Sequence, residues 1–202
     1  MLLIVDCGSE KTRQIVATLE SLGASCEVYS EVDLPNLALE RFAGMIISGS
    51  PELLCNSDIE ERLSRFGCIS TIGVPVLGIC FGHQIIGLHF GANFWKGMYI
   101  RKPQLIEQVC SNDLFKGIKP FSSFDQSHSE YIGLPKKFKL LAKSASARNE
   151  AMMHLDLPIF GVQFHPETSD LNGKILFRNF ILLCSKYNSE KSRGLMQAEL
   201  NW

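Results

Sequence analysis

Along the first half of the chain, short apolar runs alternate with stretches whose apolar residues recur at helical spacing. Residues 2–7 (LLIVDC) read as a central strand; from Glu10 onward Ile15, Val16, Leu19 and Leu22 share one helical face, and Gly23 stops the helix. Residues 26–29 and 44–48 predict two more strands, residues 59–66 a helix, and residues 75–80 a fourth strand running straight into a helix over 82–90. Strand, helix and strand in this rhythm predict βαβ units on a doubly wound parallel sheet.

After Gly91 the rhythm changes. Residues 99–110, 139–142, 151–155 and 159–164 are strand-like and joined by turns, which predicts an antiparallel extension of the sheet. Residues 174–187 predict a closing helix, apolar all round through Ile175, Leu176, Phe177, Phe180, Ile181, Leu182 and Leu183, a pattern of deep burial or of a partner surface. From Asn188 the composition turns polar. The expected organisation is therefore one domain over 1–187 and a polar tail over 188–202 that frays or docks. The fold class is α/β: a mostly parallel central sheet flanked by helices, extended by antiparallel strands in the second half.

Composition narrows the function. The 202 residues are 46% apolar, with 20 basic against 21 acidic side chains, which suits one ordinary globular domain with an adequate core. The net charge of −1 and the lack of a dense Lys/Arg block offer no electrostatic footprint for nucleic acid or an anionic membrane. The 7 cysteines (Cys7, Cys26, Cys55, Cys68, Cys80, Cys110, Cys184) are scattered and form no CxxC pair, which fits a reducing compartment and argues against a disulfide framework or a zinc knuckle. The start of the chain reaches Asp6 without a basic leader, and no apolar run approaches the ~18 residues of a membrane span. The expected location is the cytoplasm.

Chemistry concentrates in two places. In PVLGICFGHQIIG an apolar strand ends at Cys80 and a helix begins at once, with Gly78 and Gly82 on either side. A side chain at such a turn is pushed out over the sheet edge while backbone passes close by, the logic of a nucleophile elbow with cysteine in place of serine. The helix N-terminus favours a thiolate there, and the Phe81 N–H points where an oxyanion would form. A buried structural cysteine is the alternative. In IFGVQFHPETS an alternating strand delivers His165 and Glu167, two residues apart and held extended by Pro166, as a base and an orienting carboxylate would be. Here the alternative is a surface turn.

Other histidines are weaker candidates. His83 and His89 lie on nearly opposite helical faces and cannot share a metal, so packing or surface roles are expected of them. His154 reads as a satisfied or exposed strand residue, and His128 as structural or part of a substrate loop. Asp6 and Ser9 end the first strand without a GxxxxGK[ST] phosphate loop. No metal and no cofactor are expected.

Together, the GxCxGxQ of Gly78, Cys80, Gly82 and Gln84 and the downstream HPE of His165, Pro166 and Glu167 resemble the class I (triad) glutamine amidotransferases over nearly the whole chain. DCGSEKTRQI, SHSEYIGLPKKFKLLAKS and GKILFRNFI are most similar to the amidotransferase part of GMP synthases; glutaminase subunits of anthranilate and aminobenzoate synthases share GVQFHPE and rank second. The resemblance implies a flavodoxin-like fold and hydrolysis of L-glutamine through a Cys80 thioester, with His165 as base and Glu167 orienting it. It also implies an oxyanion hole from Phe81 and the Gly49–Ser50 turn, and glutamine held around Gln84, Ser127, His128 and Ser129. Ser50 departs from the family, which commonly has glycine before that proline. No SGGxDS-type nucleotide loop is present, so the resemblance implies a separate partner, an ATP-dependent synthetase subunit, with xanthosine monophosphate as acceptor. The remaining alternatives are a γ-glutamyl hydrolase and a non-catalytic regulatory subunit.

Overall fold

The computed structural model describes the backbone of residues 1–199 and the side chains of residues 1–193. In the first half, β1 (Leu2–Asp6), α1 (Thr12–Ser21), β2 (Cys26–Ser30), β3 (Gly44–Ile47), α2 (Ile59–Arg65), β4 (Val76–Ile79) and α3 (Phe81–His89) follow the predicted order. β1 is apolar from Leu2 to Val5 because both faces of a parallel sheet are covered: Leu2 and Ile4 pack on one side, Leu3 and Val5 on the other. α1 and α4 (Asp170–Glu199) lie on the first side, α2 and α3 on the second.

Local chemistry sets the ends of these elements. After α1, Gly23 adopts φ 80°, Gly23 N donates to Glu20 O, and Ala24 N donates to Leu19 O, a left-handed cap that only glycine enters freely. At α2 the Asp58 carboxylate accepts from Glu61 N at 3.1 Å, satisfying a donor that the first turn cannot pair itself.

In the second half come β5 (Phe94–Ile100), β6 (Gln104–Gln108), β7 (Phe121–Phe124), β8 (His128–Ile132), β9 (Phe138–Lys143), β10 (Ala151–His154) and β11 (Ile159–Val162). Among the described residues the strands form one sheet of nine, ordered β2-β1-β3-β4-β11-β10-β9-β6-β7, and a separate pair, β5 with β8. Pairings from β2 to β11 are parallel, and those from β11 to β7 antiparallel, so the extension has the predicted form.

Three expectations are corrected. The strand predicted over 99–110 is two strands broken around Pro103, and they pair in different sheets. β7 and β8 went unforeseen, since FSSF and HSEYI carry polar residues at positions that are nonetheless buried. α4 starts at Asp170 and continues past 187 to Glu199, and its apolarity is one-sided: Leu176, Phe177, Phe180 and Cys184 are buried while Leu171 and Leu182 are exposed. Residues 188–199 of the expected tail are thus helical, and 200–202 lie outside the described residues. Among the described residues no helix is long and apolar enough to cross a membrane.

The order of strands positions the site. β4 and β11 are neighbours and parallel, with Ile79 opposite Val162. Whatever follows them emerges at the same sheet edge, where open α/β sheets gather their chemistry.

Candidate active site

Cys80 is the single residue between β4 and α3, at φ 52° and ψ −101°, a conformation that side chains rarely adopt and that surrounding structure must enforce. Two glycines enforce it. A Cβ on Gly78 would overlap the Gly82 carbonyl, and one on Gly82 would overlap the Ile47 carbonyl, so α3 is seated against β3 and β4 at backbone distance. Cys80 N donates to Val162 O at 2.8 Å, tying the turn to β11 as well. Cys80 is 6% exposed.

His165 follows β11 and is fixed by its own backbone, its N donating to Asp125 O at 2.8 Å. The single 3-10 turn Pro166–Thr168 folds Glu167 back, so that His165 Nδ1 and Glu167 Oε1 are 2.6 Å apart with both side chains buried. Ser169 Oγ donates to His165 O and accepts from Asp125 N, and Gly173 of α4 packs where any side chain would strike the Pro166 carbonyl.

Gly49 brings the two halves together: a Cβ there would lie 3.3 Å from His165 Cε1 and 3.8 Å from Cys80 Cβ. His165 Nε2 has no hydrogen-bond partner among the described residues. Burial alone would lower the His165 pKa, but the charge of Cys80, joined by Glu167, outweighs burial and raises it to about 10. Sulfur, imidazole and carboxylate therefore converge beside one glycine at one sheet edge.

The residues around the sulfur were only partly foreseen. Gln163 Nε2 approaches Cys80 Sγ at 3.7 Å, and the Ser127 carbonyl lies 3.9 Å from it. Gln163 was missed, although a signal existed: Gly161, Gln163 and His165 alternate onto one side of an otherwise apolar strand, where a glutamine is out of place. Gln84, one turn into α3, donates to Glu130 O at 2.8 Å and to Gln163 Oε1 at 3.2 Å, so it braces β8 and Gln163. Glu130 in turn accepts from Leu54 N and Cys55 N.

His128 is buried in β8, with Nε2 2.9 Å from Gln126 Oε1, while Gln126 Nε2 donates to Glu150. That orientation puts the proton on His128 Nε2 and leaves Nδ1 as an acceptor, without a partner among the described residues. Burial, then the charge of His165, lowers the His128 pKa to about 4, so the ring is neutral. Ser129 is buried beside it, and Ser127 Oγ lies 3.4 Å from Tyr99 OH.

The turn after β3 is pinned at its first residue. Ser48 Oγ accepts from Cys7 N and donates to Gly49 O, both at 2.9 Å, while Ser48 O accepts from Gly82 N. Neither Gly49 nor Ser50 has positive φ, so serine at 50 strains nothing in this conformation. Phe81, as the first residue of α3, has an N–H with no acceptor in its own helix.

The remaining histidines have structural places. His83 is fully buried against Gly161, and burial drives its pKa down to about 3. His154 Nδ1 accepts from Asp156 N and Leu157 N at 3.0 Å. Asp6 Oδ1 accepts from Gly8 N and Thr12 Oγ1, closing the turn into α1. Among the described residues no group of three or more His, Cys, Asp and Glu side chains could hold a metal ion.

The sequence model of the family "Glutamine amidotransferase class-I" matches residues 3–183. The glutamine-hydrolyzing GMP synthase subunit of Pyrococcus furiosus is 36% identical over 190 residues, covering 92% of this chain and 100% of that protein. The Thermoplasma acidophilum protein of the same name is 31% identical over 91% of this chain and 92% of its own length. A crystal structure described as that of a GMP synthase subunit from Thermoplasma acidophilum superposes with a TM-score of 0.81 at 29% identity, covering 95% of this chain and 96% of that one. A glutamine amidotransferase from Thermotoga maritima shares the fold, with a TM-score of 0.71 at 18% identity over 98% and 95% of the two chains.

Proposed function

This chain belongs to the class I glutamine amidotransferases, and we propose that it hydrolyses L-glutamine to glutamate and ammonia as the glutaminase component of a two-subunit, GMP-synthase-like enzyme. In this reading 1–187 is the amidotransferase domain, and the ammonia passes to a separate ATP-using synthetase subunit.

The Cys80 sulfur attacks the side-chain amide carbon of glutamine with its proton already held on Nε2 of the His165 ring, which the raised pKa keeps charged. The oxyanion that forms faces the Phe81 N–H and the Gly49–Ser50 turn, each donor being worth about 3 kcal/mol in such sites. His165 then returns the proton to the departing nitrogen, ammonia leaves, and a γ-glutamyl thioester remains. A water molecule, deprotonated by the same Nε2, attacks the thioester; glutamate departs and the thiol is restored. Glu167 keeps the ring oriented and stabilises its charged form. Gln163 donates toward the sulfur, and the neutral His128 with Ser127 and Ser129 borders the glutamine, Gln84 bracing them from below.

The observation that carries this reading is the His165–Glu167 pair at 2.6 Å, its other ring nitrogen unpaired among the described residues, across Gly49 from a cysteine held at positive φ. The test is glutamate release from glutamine by the wild-type chain with its co-purifying ATP-using partner, xanthosine monophosphate and ATP. Wild type is expected to accumulate a γ-glutamyl adduct on Cys80 under acid quench, and Cys80→Ala to lose glutamate release by more than about 10³-fold. Equal release by the two proteins would end the proposal.

A further inference from the structure

Arg62 is an unusual residue to find on the inner face of a short helix. It is 6% exposed, and its guanidinium makes contacts in four directions. Nε and Nη2 hold both oxygens of Glu31, just past β2, at 3.0 and 2.7 Å. Nη1 reaches Glu52 at 3.2 Å and Ser57 Oγ at 3.5 Å, and the flat face lies 4.0 Å from the centroid of the Phe81 ring. Arg65 holds Glu31 independently at 2.7 Å.

Burial energetics do not require this arrangement, because a buried ion pair can commonly be replaced by apolar side chains of similar volume without loss of stability. An apolar side chain could fill the same space. It could not grip Phe81 and Glu52 at once. Those two contacts reach both segments assigned to the oxyanion: Phe81 carries the N–H that has no acceptor in its own helix, and Glu52 ends the Ser50–Pro51–Glu52 stretch that leads away from Gly49.

We propose that Arg62 is a positioning residue for the oxyanion side of the site, a clamp that fixes the spacing between the Phe81 N–H and the turn at Gly49 and Ser50. The inference rests on the reading of the site as glutamine-hydrolysing. It assigns unequal arms to the clamp. The arm to Glu31 is a two-pronged, buried pair braced by Arg65, and is permanent. The arm to Glu52 is longer, and Glu52 is 54% exposed, so this is the weaker arm.

The decisive comparison is between two reactions of the same sulfur. Turnover of glutamine needs the oxyanion donors, whereas alkylation by iodoacetamide displaces iodide at a saturated carbon and forms no oxyanion. In Arg62→Met, kcat for glutamine is expected to fall about tenfold with KM changed less than about twofold, and alkylation of Cys80 to stay within about twofold of wild type. Arg62→Lys, which can satisfy one arm at a time, should recover part of kcat. Glu52→Gln, a surface change with no folding risk, should show the same kcat-only loss at smaller size. Loss of turnover and alkylation together, or an unchanged kcat, would overturn the clamp.

Hydrogen exchange provides a readout that does not depend on turnover. The amides of residues 48, 49, 50, 52, 81 and 82 should exchange faster in Arg62→Met and Glu52→Gln, with β1 and β3 amides unchanged. Unchanged exchange at 48, 49, 50, 52, 81 and 82 refutes the clamp even if the wild-type chain turns out not to release glutamate, the result that would refute the glutaminase reading itself.

Discussion

Gly78 and Gly82 stand back to back across the strand-to-helix turn, so close that a Cβ on Gly78 would overlap the Gly82 carbonyl and come within 2.7 Å of His83 N. The neighbours are backbone of the first turn of α3, which cannot rotate aside as a side chain could. Gly78→Ala must therefore shift α3 against the sheet and move Cys80 with it. The expected loss is about 3 kcal/mol, the upper end for overpacking, or about 6–12 °C in Tm for a chain of this size, together with most of the glutaminase activity. Thermal unfolding of the purified variant checks it, and a Tm within about 2 °C of wild type would show that the contact is easily relieved.

Cys80 lies at φ 52°, where a Cβ is strained and glycine is not. Cys80→Ala and Cys80→Gly should both be inactive but should differ in stability. The glycine variant relieves strain of about 1–3 kcal/mol and loses about 0.5–1 kcal/mol to its freer unfolded chain, leaving it about 1 kcal/mol more stable than the alanine variant. Urea unfolding of the pair measures this difference directly. Were alanine the more stable, the elbow would not be storing strain.

The spacing of Gly78, Cys80 and Gly82 was readable because each glycine answers a steric demand of the same turn, and steric demands leave a mark at a fixed position in the sequence. His165 and Glu167 meet through another shape than the extended strand the sequence suggests: β11 ends at Val162, and the 3-10 turn that Pro166 opens folds Glu167 back onto the ring. The pieces contributed by other elements left weaker marks. β8 is a polar string that is buried because it borders the site and bonds to Gln84, so the usual rule that buried strands are apolar pointed away from it. Arg62 left no mark at all, since nothing nearby in sequence reveals that Glu31 lies underneath. The end of α4 was misjudged on composition. Polar residues continue the helix because they reach back to the sheet: Asn188 donates to Ala43 O at 2.8 Å, and Lys191 to Gly73 O at 3.2 Å.

Glu167→Gln preserves the size of the side chain that meets His165 and removes its charge. Burial lowers the His165 pKa, and Cys80 and Glu167 together raise it from 6.5 to about 10, so losing the Glu167 charge lets it fall. A group whose folded pKa is raised adds stability that is fully present below its unfolded pKa and lost as pH rises through the folded one. For wild type that window runs from 6.5 to about 10, and in the variant it should close at lower pH. Glutamine turnover should fall by about 10² as the ring loses its orienting charge. Urea unfolding at intervals across this range, with kcat measured alongside, tests both; a pH profile of stability identical to wild type would show that Glu167 does not set the ring's charge.

Glu150 offers the opposite case, a buried carboxyl with no ion-pair partner among the described residues. Its oxygens accept from Ser144 Oγ at 2.6 Å and Gln126 Nε2 at 2.9 Å. Burial raises its pKa from 4.5 to about 7, and the two hydrogen bonds only partly offset that. Its folded pKa is raised, so the stability it contributes is complete below 4.5 and is lost as pH rises through about 7, when the buried side chain must become charged. Glu150→Gln leaves no charge to bury and keeps an acceptor for Gln126, at the cost of the Ser144 contact, because the Ser144 hydroxyl donates there and already accepts from Ser146 N and Ala147 N. At pH 8 the variant should therefore be more stable than wild type by about 1–3 kcal/mol, with the difference vanishing near pH 4.5. Because Gln126 also orients His128, the same variant should keep the neutral ring and its turnover. Denaturant unfolding at pH 4.5 and pH 8 decides the matter: a destabilised variant at both would mean that Glu150 is held charged by a partner, and that burial does not govern it.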